Sequence, residues 1–100
     1  MADYLAIIPI GGGSSWGRAA DKEVAIQNAI KSLKDWDSLF EVANIDITIN
    51  VVDVDGYNDC DWMSPFGLRG TNVKTGHHER IERPVEYVNR QTPKWHRRKK

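Results

Sequence analysis

The chain has 100 residues, 40% apolar and 28% charged, enough for one domain with a single core and outside the composition of disordered chains. Its formal net charge is zero, and its lone cysteine, Cys60, excludes an internal disulfide; a secreted, staple-dependent scaffold is not expected and a reducing interior is favoured. No apolar run approaches the ~18 residues of a membrane span, so no membrane insertion is expected.

Neutrality hides a segregation of charge. Residues 1–34 carry four bases and three acids, residues 35–68 carry eight acids and no Lys or Arg, and residues 69–100 carry ten bases and three acids. An acidic middle and a basic end bear on partners and association rather than on fold.

Taken in chain order, Tyr4 to Ile10 is an apolar, β-branched run that ends at glycines and lacks the basic leader of a signal peptide, so it predicts a largely buried strand. Pro9, without an N–H, belongs at an edge or a strand end. Gly12 to Ala19 reads as a flexible connection, with a turn and a second short strand as the alternative between Ser14 and Ala20. From Asp21 to Phe40 the apolar residues Val24, Ile26, Ala29, Ile30, Leu33, Trp36 and Phe40 recur mostly three or four apart, which predicts an amphipathic helix with Asp21 as its N-cap and Trp36 in the core. Ile45 to Val51 alternates with period two, then Val52 and Val54 place apolar residues on the opposite face, as a bulge or entry into a covered part of the sheet would produce. Gly56 to Gly76 is rich in turn residues and predicts a long loop that is functional or hides short strands. Pro84 to Gln91 predicts a further strand. The expected fold is α+β, a small mixed or antiparallel sheet with one main amphipathic helix packed on one face, in a single domain over 1–93 followed by a basic arm over 94–100.

Several motifs carry chemistry in outline. Gly12 to Ala19 has the glycine spacing of a phosphate loop, but Arg18 stands at the lysine position and Ala19 supplies no hydroxyl for magnesium, leaving anion or partner binding through Arg18 as the functional alternative. Asp53, Asp55, Asp59 and Asp61 are hard oxygen donors without EF-hand spacing, and His77-His78 lacks the usual spacing of a zinc site, so neither a metal site nor a cofactor is expected. Nothing around Cys60 marks an activated nucleophile, no catalytic residue is assigned, and a non-enzymatic protein is expected. Trp16, Trp62 and Trp95 fall outside the periodic segments, and tryptophan and arginine are enriched at binding hot spots. Trp95 lies among Lys94, Arg97, Arg98, Lys99 and Lys100, a cationic segment suited to phosphates with a ring suited to stacking.

The stretch Glu23-Val-Ala-Ile-Gln-Asn28-Ala29 resembles the helix of small HicB-like antitoxin domains, where a strand and turn precede an E-A-x-x-N-A stretch. The glycine spacing before it departs from that family, and no function or functional residue is carried over. The partner-binding residues expected from the sequence are Lys94, Trp95, Arg97, Arg98, Lys99, Lys100, Arg18, Trp16 and Trp62. The expected partner is an anionic macromolecule, nucleic acid or an acidic protein surface. The alternative is a structural or assembly protein in which acidic-middle to basic-tail contacts join subunits into homo- or hetero-oligomers.

Overall fold

A computed structural model describes residues 2–10, 13–33, 46–63 and 67–91. The order is β1 (Tyr4–Ile10), β2 (Gly13–Ala19), α1 (Lys22–Leu33), β3 (Asp46–Asp53), β4 (Tyr57–Met63), β5 (Gly67–Asn72), β6 (His78–Arg80) and β7 (Val85–Gln91). The fold is α+β as expected, with every strand pairing antiparallel, but the described residues form two sheets instead of one. The first runs β2-β1-β3-β7 and the second β4-β5-β6.

The helix begins where the sequence places it. Val24 N–H donates to Asp21 Oδ2 at 3.0 Å and Ala25 N–H donates to the Asp21 carbonyl, the arrangement of an N-cap. Ala25, Ile26, Ala29, Ile30 and Leu33 are buried. Val24, expected on that face, is exposed, because it lies about 200° around the helix from Ile26 and Ala25 takes the inward place. Trp36 and Phe40 lie outside the described residues.

Both faces of the first sheet are covered along Leu5 to Ile8, which explains why successive residues of β1 are apolar there. Ala6, Ile8, Ile49 and Val51 pack with α1 on one face. Leu5, Ile7 and Val52 pack with Val54, Leu68 and Ile81 on the other, beneath the second sheet. The phase change at Val51-Val52 is therefore the covered part of the sheet and not a bulge, since β3 keeps unbroken register with both neighbours. Val54 N–H donates to the Asp3 carbonyl, so the odd-numbered residues of β1 turn their backbone groups toward β3. That pairing stops at Ile7, and the missing N–H of Pro9 falls where no ladder bond is required.

The segment Gly13–Ala19 is a strand, correcting the expected flexible connection. Its alternation has a purpose: Ser15 and Gly17 pair with Ile8 and Ala6 and face the helix, while Trp16 and Arg18 pair with Ile7 and Leu5 and face the other way. Small residues let α1 approach closely. Buried Ser15 Oγ donates to the Ala29 carbonyl at 2.8 Å, and Gly17 lies against the helix backbone.

The expected loop Gly56 to Gly76 contains β4 and β5. Turn residues hid these strands because they serve strand irregularities here. Gly56, at φ 91°, follows Val54 in a turn closed by Tyr57 N–H donating to the Val54 carbonyl. Asp59, at φ 50°, lies in a register shift between Asn58 and Asp61, a bulge in a conformation that Asp tolerates.

Candidate partner-binding face

Directly paired residues of neighbouring strands share a face, so the register lays out rows across the first sheet. Arg18 pairs with Leu5, Leu5 with Val52, and Val52 with Val85. This row is covered by the second sheet. One row along, Trp16 pairs with Ile7, Ile7 with Asn50, and Asn50 with Tyr87. Its centre is buried, but its two ends are exposed: Trp16 by 60% and Tyr87 by 65%. Three strand spacings of ~4.8 Å put their backbones about 14 Å apart. Further along the same face, Ser14, Pro9, Thr48 and Asn89 are exposed, with Thr48 Oγ1 donating to Asn89 Oδ1 at 3.0 Å. A shallow depression lined in part by Asp46, Thr48, Asn89 and Gln91 follows at the strand ends. The result is a polar sheet face with an aromatic ring at each side.

Arg18, expected to meet a partner, is placed in an internal network. Its Nε and Nη2 donate to Asp3 Oδ2 at 3.0 and 2.7 Å, Nη2 also donates to the Tyr57 carbonyl at 2.5 Å, and Nη1 lies 3.7 Å from Cys60 Sγ. The hydrogen-bonded Asp3 carboxylate raises the guanidinium pKa further. One arginine thus ties β2 to the strand entering the second sheet. Burial pushes the Cys60 thiol up, against a smaller opposing effect of Arg18, the reverse of what activates a cysteine nucleophile. Trp62 is half-buried and packs on the cluster beneath the second sheet. Lys94, Trp95, Arg97, Arg98, Lys99 and Lys100 lie outside the described residues.

The aspartates divide. Asp55, Asp59 and Asp61 are exposed, and among the described residues no three His, Cys, Asp or Glu side chains group to hold a metal ion. Asp53 Oδ1 accepts the N–H of Asp55 at 2.9 Å and of Asp3 at 3.3 Å and lies 3.6 Å from Arg83 Nη1. The Asp55 N–H chiefly, with the Asp3 N–H and the positive charge of Arg83, holds this carboxyl below its ordinary value. A folded value below the unfolded one stabilises the fold above the unfolded pKa and is lost as pH falls through the folded value. Asp53→Asn is accordingly expected to lessen the fall of the urea midpoint below about pH 4 relative to the unaltered chain; identical acid limbs would contradict this.

Tyr87 was not singled out by the sequence. Alternation in β7 places Val85, Tyr87, Asn89 and Gln91 on one face, and the polar character of the last two is the signal that Tyr87 sits where the covered part of the face ends. Comparisons with protein families, with curated proteins and with solved structures find no match for this chain.

Proposed function

We propose that the protein is a non-enzymatic interaction protein that binds single-stranded nucleic acid, stacking bases on Trp16 and Tyr87 and contacting phosphates through Lys94, Arg97, Arg98, Lys99 and Lys100, with Trp95 as a further ring. The observation that carries this is the pair of exposed rings in one row of one sheet face. Exposed aromatics beside the neutral Ser14, Thr48 and Asn89, with Asp46 at the far strand end, suit bases, whose flat faces stack without regard to sequence. Chain geometry supports the role of the arm: Lys94 follows Gln91, the end of β7, by three residues, so it is tethered within about 11 Å of the open end of that face. An acidic protein surface would attract the same cations, but it supplies no reason for two rings spaced across the sheet.

Binding is expected to be salt-dependent, because each neutralised phosphate releases counterions. Replacing Lys94, Arg97, Arg98, Lys99 and Lys100 with glutamine should lower affinity for a labelled single-stranded oligonucleotide at low salt at least ~tenfold and flatten the slope of log affinity against log salt by about two or more. Anisotropy titrations across a salt series measure both. An unchanged affinity and slope would remove the arm from the interface.

Subunit assembly is the second reading, favoured by the exposure of Asp55, Asp59 and Asp61 without an ion pair among the described residues. Contacts between these acids and the arm of another copy would dissolve with added salt. Light scattering across the same salt series detects them, and a particle mass independent of salt would count against them.

A further inference from the structure

Every open sheet must protect the unpaired backbone of its outer strands. The second sheet does so with a bulge in β4 and with β6, only three residues long. On the first sheet, β2 lies against α1, whose Ser32 Oγ donates to the outward carbonyl of Trp16 at 3.3 Å. Among the described residues β7 has none of these devices. It is seven residues long, contains neither glycine nor proline, and keeps unbroken register with β3. No described strand pairs with its outer edge.

We propose that the outer edge of β7 pairs antiparallel with β7 of a second copy of this chain, about a two-fold axis through Val88 and normal to the sheet. The hydrogen-bond phase supports this register. Because Asp3 and Val54 are bonded across β1 and β3, alternation turns the backbone of Asn50 and Val52 toward β1 and that of Ile47, Ile49 and Val51 toward β7. Their partners Arg90, Val88 and Glu86 therefore face inward, and Val85, Tyr87, Asn89 and Gln91 present free N–H and C=O groups outward. Centred on Val88, Tyr87 meets Asn89 of the second copy and Val85 meets Gln91, and each pair can exchange two hydrogen bonds.

The charges are complementary in the same register. Glu86 falls opposite Arg90 of the second copy, twice by symmetry, on the face that carries α1. Within one chain Glu86 already pairs with Lys22 at 2.7 Å and Arg90 with Glu23 at 2.9 Å. Each junction thus becomes a run of alternating sign, Lys22, Glu86, Arg90, Glu23, crossing the interface. The two-fold axis keeps both helices on one face and both aromatic rows on the other. Tyr87 of each copy becomes a diagonal cross-strand neighbour of the other, about 7–8 Å away and within reach of an aromatic ring. The dimer does not depend on what the aromatic face binds.

Sedimentation equilibrium of the full chain over a wide concentration range is the test. The expected result is a monomer–dimer equilibrium that persists at high salt, because backbone bonds carry it. Glu86→Arg and Arg90→Glu alone each place like charges across the axis twice and should raise the dimer dissociation constant about tenfold or more. The double variant restores opposite charges between copies while leaving both intrachain pairs reversed, so it should return most of the lost affinity. Asn89→Pro removes an outward N–H and no ladder bond to β3, and should weaken the dimer while leaving cooperative urea unfolding in place. A monomer at every concentration, or a double variant no tighter than the single ones, would overturn the proposal.

Discussion

Gly17→Ala is expected to destabilise the domain by about 3 kcal/mol, the upper end of what overpacking a close contact costs. A Cβ at this position would meet the Ala25 carbonyl oxygen, the Ala29 nitrogen at 2.5 Å and Asn28 Cβ at 2.6 Å. The first two are helix backbone, which cannot swing aside as a long side chain does. Relief requires α1 to lift from β2, and that would loosen the Ser15 bond to Ala29 and the packing of Ala25, Ala29 and Leu33. Gly56→Ala makes the control. Gly56 adopts φ 91° but has open space around it, so alanine there incurs only the backbone penalty, about 1 kcal/mol. Urea unfolding of both variants separates the cases. A Gly17→Ala midpoint near that of the unaltered chain would mean that the glycine belongs to a yielding connection and that the close strand–helix contact is wrong.

Legibility in the sequence followed how directly one periodicity maps to one environment. The helix start was readable because Asp21 combines a capping side chain with the onset of a repeat, and β1, β3 and β7 because apolar runs or alternation mark them. β2 was obscured by its glycines, which suggest a phosphate loop. The alternation of Gly13, Ser15, Gly17 and Ala19 with Ser14, Trp16 and Arg18 is a strand pattern whose inward residues are small because a helix lies on them. β4 and β5 were obscured for another reason: Asp59 and Gly67 sit at positive φ inside or at the start of strands, so residues that usually mark turns mark a bulge and a strand entry. Of the candidate site, Trp16 was legible as an aromatic outside the main core pattern. Its coupling to Tyr87 was not, because the two are 71 positions apart in the numbering and meet in one row only through the pairings of β1 and β3. Arg18 shows the converse. An arginine in a glycine-rich stretch suggests an anion site, whereas the fold brings Asp3, Tyr57 and Cys60 around it, none of them foreseeable without strand order.

The second large effect concerns binding. Trp16→Ala with Tyr87→Ala removes two rings that are mostly in solvent, so the cost to stability should stay within about 1 kcal/mol. Stacking contributes about 1–3 kcal/mol per base, so loss of both rings corresponds to roughly thirtyfold or more in affinity, with about a hundredfold lying in the lower half of the range. The arm stays intact in this variant, which leaves the phosphate contacts and the salt slope nearly unchanged while the affinity falls at every salt concentration. That pattern is opposite to the one expected for the neutralised arm. Alanine at Trp62 is the internal contrast, because this ring packs on the core beneath the second sheet and its loss should lower the urea midpoint. The direct measurement is the affinity of the Trp16→Ala, Tyr87→Ala chain for a labelled single-stranded oligonucleotide, beside the unaltered chain at one moderate salt concentration. A loss of about a hundredfold with an unchanged urea midpoint is the predicted result, and equal affinity of the two chains would contradict a binding role for the aromatic sheet face.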